Sequence, residues 1–398
     1  MTAKGARAGI PAGVWTLGFV SLLMDTSSEL VHALLPLYLA GTLGASALVI
    51  GLIEGVAESL ALVVKVFSGV LSDVTRRRKP LVLAGYGLAA VSKLAFPLAT
   101  SIGWVVTARL VDRAGKGIRG APRDALIADL TPADVRGAAF GLRQALDTVG
   151  AIAGPLLAVG AIAWFAGNFQ AAFWIAVVPA ALCVLLIVLG VDEPAPAQKA
   201  AAKRLSWRDA SRLDGRFRLV VAIAMVLTLA RFSEAFLILR ARDVGFSDMH
   251  APWVMVVMSV VYAGAAFPAG RAADRGHAGA LLGAGFIALI ASDLVLARAG
   301  GAAAVLAGTA LWGLHMALTQ GLLAALVSAT APADLRGTAF GVFNLGCGVA
   351  LLVASALAGA LWDAFGPAST FYAGAAFSAV AAAGWLLARR RLPSLGPA

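Results

Sequence analysis

Long apolar runs separated by short polar loops form the dominant pattern along the chain. Twelve runs can be delimited, and each approaches or exceeds the roughly 20 residues that a transmembrane helix needs. They lie near 14–39, 47–71, 80–99, 103–127, 137–162, 169–190, 218–240, 251–272, 278–298, 301–328, 338–362 and 369–388. The pattern predicts an all-α membrane protein with twelve transmembrane helices, which we call spans 1 to 12.

Two short sequences occur once in each half of the chain, about 200 residues apart. Pro132–Gly141, where span 5 begins, returns with few changes as Pro332–Gly341, where span 11 begins. Gly69–Asp73, at the end of span 2, has a counterpart in Gly270–Asp274 at the end of span 8. A repeat at a fixed offset indicates a duplicated structural unit. We therefore expect two pseudo-symmetric six-helix bundles.

Polar residues interrupt the succession of spans at 192–217, a basic stretch that begins rich in alanine and proline. Clusters of this kind between regular segments are typical of a linker. We predict an N-terminal six-helix bundle over 1–191, a cytoplasmic linker over 192–217 and a C-terminal six-helix bundle over 218–398. Secondary transporters are commonly built from two such parallel repeats around a central substrate site.

Composition and charge support the membrane assignment. Of the 398 residues, 60% are hydrophobic and 13% are charged, whereas soluble domains carry about 25% charged residues. The net charge of +11 would suggest nucleic-acid binding in a soluble protein. Here the basic residues lie mainly in short loops on one side of the spans, at both termini and in the linker. The positive-inside rule then predicts cytoplasmic termini and no nucleic-acid partner.

The residues that would form a catalytic or cofactor site are not arranged in a recognisable set. Cys183 and Cys347 both lie inside apolar spans without metal-ligand spacing, as small core residues do. Gly115–Gly117 lacks the spacing and the preceding strand of a nucleotide-binding loop. We therefore expect no enzymatic activity, no cofactor and no resident metal.

The whole chain resembles the major facilitator superfamily of transporters. The loop Gly69-x-x-x-Asp73-x-x-Arg76-Arg77-Arg78-Lys79 is similar to the superfamily's loop signature, with Val74 and Arg76 as departures, and its second copy keeps Asp274 and Arg275. The resemblance implies that Asp73 contacts the start of span 11, near 334–337, in one conformation and releases it in the other. A plain topology signal is the alternative. The candidate gating residues are Gly69, Asp73, Arg77, Arg78, Asp274 and Arg275.

Span 5 is similar to the antiporter signature of the superfamily. Gly141, Gly150, Gly154 and Pro155 match it, and Ala158 stands where glycine is usual. In the family this signature marks exporters that exchange substrate for protons. Small residues permit close helix contact and proline bends a helix. We expect a bent span 5 that packs across the interface between the halves, with tight packing alone as the alternative.

Charged side chains inside the spans are the candidate coupling residues. Each costs roughly 3 kcal/mol at a helix centre, so such groups are paired or face a wet cavity. Ser28-Glu29 and Ser233-Glu234 fall at corresponding places in the two halves, which predicts that both glutamates face the cavity. Acids in a partly dry cavity can exchange protons near neutral pH. The candidate set is Asp25, Glu29, His32, Glu54, Glu58, Asp147, Arg231, Glu234 and His315.

Alternatives remain open for these residues. Any single acid can belong to a structural ion pair, and His315 fits a satisfied buried histidine. The basic and polar candidates of the cavity are Arg109, Arg113, Arg143 and Gln144. Arg109 and Arg113 either hold an anionic substrate group or neutralise carboxylates of spans 1 and 2, and we favour neutralisation.

The predicted function is alternating-access transport across the inner membrane. The resemblance and the buried acids favour proton-coupled export of a small organic solute or drug by a monomer. Its partners would be the substrate, protons and membrane lipids. Proton-driven uptake of a metabolite is one alternative. Export of a metal ion or chelate is another, because the acidic face of span 1 carries His32. A membrane-embedded sensor or enzyme is a remote alternative.

Overall fold

A computed structural model describes residues 9–75, 77–193, 211–332 and 335–389. Regular secondary structure within these ranges is entirely helical. Most of the predicted linker lies outside the described residues, as do Arg76, Asp334 and both extreme termini.

The first half contains six long helices that correspond to spans 1 to 6. They are Ala12–Leu37 (continued by a π-helical turn, Tyr38–Thr42), Ala47–Thr75, Arg78–Ala95, Ile102–Leu130, Arg136–Trp164 and Phe169–Gly190. Side-chain caps begin two of these helices, because Ser101 accepts from the Trp104 amide and Asn168 accepts from the Ala171 amide. The short 3-10 helix Ala133–Val135 precedes span 5.

The second half supplies spans 7 to 12. Span 7 consists of two helices, Gly215–Ala230 and Ala235–Asp243. The others are Trp253–Ala272, Ala278–Ala297, Ala302–Thr330, Arg336–Phe365 and Pro367–Ala388. The π-helical turn Ala273–His277 joins spans 8 and 9, and Gly276 breaks the helix there with φ +89°. The prediction of twelve spans in two bundles is confirmed for the part of the chain that is described.

Length and apolar composition alone identify fewer spans. Eight helical segments meet that standard, and one of them, Trp253–Ala297, contains both span 8 and span 9. Spans 1, 3 and 4 do not meet it. Span 3 is short, span 1 carries Asp25 and Glu29, and span 4 carries buried charges that find partners inside the bundle, as described below. These three helices, which the apolar runs of the sequence also delimit, pack with the other helices of the first half.

The two halves meet chiefly where span 2 packs on span 11 and span 5 on span 8. Glycines permit the first contact, because a Cβ on Gly51 would lie 2.1 Å from the Ser355 carbonyl oxygen. At the end opposite the termini, the Asp363 carboxylate accepts from the amides of Ala47 and Leu48 at 3.1 and 2.9 Å. It caps span 2 from the other half. This end of the molecule is therefore closed.

The halves diverge toward the termini. Within the described residues, the contacts of span 2 with span 11 extend to Ser59, which donates to the Gly348 carbonyl, and to Leu62. Further along, Gly337 and Gly341 have open space around them. A cavity between the halves therefore opens toward the end at which span 1 begins and span 12 ends.

Candidate functional site

A cavity of about 470 Å³ lies at the centre of the molecule, walled by spans 1, 2 and 4 of the first half and spans 7, 10 and 11 of the second. This volume is in the range of small-molecule sites. The ionisable acidic, basic and histidine side chains that line it are Glu29, His32, Glu58, Arg113, Lys116, Arg231 and Glu234. The rest of the wall includes Thr228, Gln320 and Asn344 together with the apolar residues Leu62, Phe232, Leu323, Phe343 and Leu351.

The glycines of span 5 position the acids of span 1. A Cβ on Gly154 would lie 2.6 Å from the Glu29 Cβ and 2.7 Å from the Thr26 carbonyl oxygen, and one on Gly150 would lie 3.0 Å from the Asp25 Cβ. Span 5 does pack across the interface, on span 8, as expected, but Gly150 and Gly154 do not make that contact. They pack on span 1 of the same half, because only glycine permits the close approach of these two backbones. Gly141 has open space around it.

Arg109 joins spans 1, 2 and 4 in the wall behind the cavity. Its Nη2 donates to Glu54 Oε2 at 2.5 Å and lies 2.9 Å from His32 Nδ1, and both Arg109 and Glu54 are buried. A guanidinium can only donate, so His32 Nδ1 is the acceptor. The proton of a neutral His32 then sits on Nε2, which is 3.6 Å from Glu234 Oε2 of span 7. His32 thus connects the two halves.

Arg113 and Lys93 complete the neutralisation of acids in the first half. Arg113 contacts Glu58 at 2.9 Å and Asp112 at 2.8 Å. Lys93 donates to Asp112 at 2.7 Å, with both side chains fully buried or nearly so. Lys116 is more distant, at 3.8 Å from Glu58. Span 4 therefore supplies the counter-charges of the span 2 carboxylates, which is the arrangement favoured from the sequence for Arg109 and Arg113.

Two charged side chains of the cavity wall have no partner. Among the described residues, Glu29 and Arg231 have no opposite charge within 4.0 Å and their side chains form no hydrogen bond. Arg231 stands at the break in span 7, directly after the first helix ends at Ala230. Glu234 immediately precedes the second helix. The break thus exposes one charge of each sign to the cavity.

A second polar cluster lies apart from the cavity, between spans 1, 3, 4 and 5. Arg143 contacts Asp147 at 3.0 Å, Asp124 at 3.2 Å and the Gln144 side chain at 3.3 Å. Asp25 lies 3.8 Å from Arg119 of span 4. Asp25, Asp147, Arg143 and Gln144 are not among the residues that line the central cavity. Arg143 instead contacts Asp147 and Gln144, and Asp25 approaches Arg119.

His315 also lies outside the cavity wall. It is fully buried, and its Nδ1 is 2.8 Å from the Gly285 carbonyl oxygen of span 9. A neutral imidazole can donate to that carbonyl, but its buried Nε2 has no hydrogen-bond partner among the described residues, so His315 is only half satisfied. Gln320, on the same helix, does line the cavity.

The loop after span 2 ties helix ends together within the first half. Arg78 contacts Ser72 at 2.9 Å, Asp73 at 3.4 Å and also Asp129 at the end of span 4. The Glu193 carboxylate accepts from the Arg78 and Lys79 amides and caps span 3. The predicted partner region of Asp73 includes Asp334, outside the described residues, and Gly337 has open space around it. Arg77, Asp274 and Arg275 are exposed, and Gly69 faces Ala121.

Some residues in or near the site were not predicted from the sequence. Asn344, Phe232 and Phe343 line the cavity, but nothing in their local pattern distinguishes them from ordinary helix residues. Asp293 of span 9 is fully buried, and neither carboxylate oxygen has a hydrogen-bond partner. A lone acid within an apolar run would have identified Asp293 by the rule applied to the other intramembrane charges.

Metal-ligating side chains do not cluster in the described part of the chain. No group of three or more His, Cys, Asp and Glu residues there has an arrangement suited to a metal ion. The acidic face of span 1 instead makes the contacts with span 4 and span 7 given above.

Two six-helix bundles around a central charged cavity define a membrane transporter of the alternating-access type. The chain belongs to the major facilitator superfamily, whose family model matches residues 17–239 and 219–398. It is therefore an integral membrane transport protein and not an enzyme.

Relatives and solved structures agree with this assignment. An uncharacterised MFS-type transporter of Methanocaldococcus jannaschii is 32% identical over 92% of both chains. The inner membrane transport protein YajR of Escherichia coli is 25% identical over 92% of this chain and 81% of its own. A bacterial homologue of the human lysosomal transporter Spinster, solved in an inward-facing and unoccupied conformation, superposes with a TM-score of 0.76 at 15% identity over 98% of both chains. The last likeness concerns the fold alone.

Proposed function

We propose that the protein is a proton-coupled antiporter of the inner membrane that exports a small organic solute or drug. The single observation that carries the proposal is Glu29, an acid on the cavity wall without a basic partner in the described residues. Its Cβ packs against Gly154 of the span 5 signature. The position of that signature directly behind the unpaired acid supports a link between the two.

Coupling follows from the cost of the unpaired charge. A charged acid inside the membrane is expensive unless it is solvated or neutralised. The open cavity lets water reach Glu29, whereas closure would remove that water. Closure is therefore easiest after a proton or a positively charged substrate group neutralises the carboxylate. Because one occupant excludes the other, the two species cross in opposite directions.

His32 and Glu234 extend this proposal to the second half. Nε2 of His32 lies 3.6 Å from Oε2 of Glu234 across the junction of the halves. A shift of the His32 proton changes the attraction between span 1 and span 7, so proton binding is linked to closure. The paired acids Asp25, Glu54 and Glu58 have a supporting role, because their charges are already neutralised by span 4.

The structure would then represent the state open to the cytoplasm, with the termini and the linker on that side. In this state Asp73 is held by Arg78 within the first half. We propose that Asp73 moves to the start of span 11 when the cytoplasmic end closes, because a carboxylate is favourable at a helix N-terminus.

Flux in reconstituted vesicles tests the proposal. A pH gradient should drive candidate substrates against their own gradient in the wild type. Glu29→Gln should lose this dependence while exchange without a proton gradient continues, and Glu234→Gln should weaken it. Asp192→Asn, at an exposed residue away from the cavity, is the control. Equal flux with and without the gradient would exclude coupling, and normal gradient-driven transport by Glu29→Gln would exclude this carrier. Accumulation in the direction of proton flow would indicate uptake instead.

A further inference from the structure

The charges of the cavity wall divide into paired and unpaired groups. Glu58 is contacted by Arg113 and Lys116, and the nearest charged neighbour of Glu234 is His32. Glu29 and Arg231 alone, among the described charged residues of this wall, have no such neighbour within 4.0 Å. The wall therefore presents Arg231 as a free positive group and Glu29 as a free negative group, and Glu234 adds a second carboxylate that faces only a neutral His32.

Glu29 and Arg231 cannot both be neutralised by protons. A carboxylate is neutralised when it binds a proton, and this is the basis of the proposed exchange. A guanidinium stays charged at every relevant pH. In a cavity that must close within the membrane, Arg231 therefore needs an anion, and that anion has to come from a ligand or from a rearranged acid.

The backbone holds Glu29 and Arg231 apart in the open state. Glu29 is fixed on span 1 by the close contact of its Cβ with Gly154. Arg231 is fixed at the end of a helix, where its amide donates to the Leu227 and Thr228 carbonyls. One residue belongs to each half, and they lie more than 4.0 Å apart. The space between them is the cavity.

We infer that the substrate is amphoteric, with a protonated amine that binds Glu29 and an acidic group that binds Arg231. A guanidinium recognises a carboxylate or phosphate with two parallel hydrogen bonds. Gln320 and Asn344 add neutral donors and acceptors to the wall, and Phe232 and Phe343 provide aromatic surface for an apolar body. The volume of about 470 Å³ fits a small organic molecule.

The inference rests on the proposed proton exchange and names the class of substrate that takes part in it. The amine competes with the proton for Glu29, whereas the acidic group selects the molecule through Arg231 without a competing proton. Binding should consequently weaken as the pH falls, because protonation of Glu29 removes the partner of the amine and leaves Arg231 unchanged. After the substrate leaves, Arg231 needs another anion when the cavity closes. Glu234, three residues further along at the same helix break, is the nearest acid in sequence that could rearrange to supply it.

Three probes that share one skeleton test the inference. Phenylalanine carries both charges, phenethylamine lacks the carboxylate, and 3-phenylpropanoate lacks the amine. Each is titrated against the purified full-length protein in detergent, and binding is measured as thermal stabilisation. Phenylalanine should act at concentrations about tenfold lower than either single-charge probe, since a hydrogen bond to a charged group contributes about this factor or more.

Variants assign each charge to its residue. Arg231→Gln should make phenylalanine bind no better than phenethylamine, and Glu29→Gln should make it bind no better than 3-phenylpropanoate. Arg231→Lys and Glu29→Asp keep the charges and should keep a preference for phenylalanine, which controls for misfolding. Arg298→Gln and Asp192→Asn, both exposed outside the cavity, should match the wild type.

Specific outcomes would overturn the inference. These are equal or tighter binding of a single-charge probe, an unchanged preference in Arg231→Gln, or no stabilisation by any probe up to its solubility limit. The assay contains no membrane and no proton gradient. A negative binding result therefore contradicts the substrate class and not the proton exchange. A negative flux result contradicts the exchange, and the binding preference can still be measured.

Discussion

The two walls of the cavity are built from repeated sequences, yet they differ in how they carry charge. The first-half wall has a dense network in which Arg109 and Arg113 of span 4 neutralise Glu54 and Glu58 of span 2. The second-half wall has one basic residue and one acid, Arg231 and Glu234, among neutral and aromatic side chains. Duplication thus preserved the scaffold while the charges became concentrated on one side.

The same dipeptide, Ser-Glu, lies in different environments in spans 1 and 7. Ser28-Glu29 lies inside an uninterrupted helix, Ala12–Leu37. Ser233-Glu234 lies at the break between Ala230 and Ala235, where the Ser233 amide donates to Ser355 of span 11. A helix break leaves backbone groups without intrahelical partners. The second half can therefore adapt its wall at the site where the first half is rigid.

Spans 5 and 11 differ in what their corresponding small residues contact. Gly150 and Gly154 of span 5 pack on span 1 of their own half. Span 11 places Ala350, Ala354 and Ser355 at the corresponding positions and packs on span 2 of the opposite half. The glycine-proline pair is therefore a feature of the contact that positions Glu29, and the interface between the halves is made by other glycines.

Removal of a paired acid from the first half should have the largest effect. Asp112→Asn leaves Lys93 and Arg113 without their shared carboxylate in a fully buried place. Loss of one partner of a buried ion pair costs about 3–5 kcal/mol. We expect a large fall in the thermal or denaturant midpoint of the purified protein. Asp129→Asn, whose partner is at an exposed helix end, is the control. Equal midpoints for the two variants would show that the buried network does not stabilise this half.

Insertion of a methyl group between spans 1 and 5 should have the second-largest effect. The new Cβ in Gly154→Ala would lie 2.6 Å from the Glu29 Cβ and 2.7 Å from a backbone oxygen, so a helix has to move. Overpacking of this kind costs about 1–3 kcal/mol. Gradient-driven flux and stability should both fall. The matched Gly141→Ala meets open space and should behave like the wild type. Normal flux in Gly154→Ala would separate the span 5 signature from the position of Glu29.

The cap that closes the far end should have a smaller effect. Asp363→Ala removes an acceptor for the Ala47 and Leu48 amides, worth about 1 kcal/mol. The population open toward the termini should fall. Cys347 lines the cavity and Cys183 is buried, so the rate at which a polar thiol reagent modifies Cys347 reports on that population. The rate should decrease by up to about fivefold. An unchanged or faster rate would mean that this cap does not hold the far end closed.

The smallest effect is expected for the unpaired acid of the second half. A Cβ on Gly374 would lie 2.7 Å from an Asp293 carboxylate oxygen, and neither oxygen of Asp293 is hydrogen-bonded. No ion pair is lost in Asp293→Asn, in contrast to Asp112→Asn. The free energy of unfolding should stay within about 0.5 kcal/mol of the wild-type value or rise. A loss as large as that of Asp112→Asn would mean that Asp293 has a charged partner in another conformation.

Several features of the site followed from sequence patterns. The corresponding Ser-Glu pairs predicted that Glu29 and Glu234 face the same cavity, and the arginines of span 4 were expected to neutralise carboxylates of spans 1 and 2. The location of Asp147 and Arg143 did not follow, because a charge inside a span can face either a cavity or a neighbouring helix. The same ambiguity applies to His315. The rotation and tilt of each helix decide between these possibilities, and packing sets both.

The sequence by itself determined the class of protein, the twelve spans and their division into two halves. Those properties depend on local hydrophobic length and on a repeat, both of which are written along the chain. Only the tertiary structure decided which charges are neutralised and which are free. Whether Arg109 meets Glu54, and whether Arg231 meets an acid at all, depends on distances of a few ångströms between helices far apart in sequence. That spacing is set by contacts such as Gly154 on Glu29, where the absence of one methyl group fixes the position of a carboxylate.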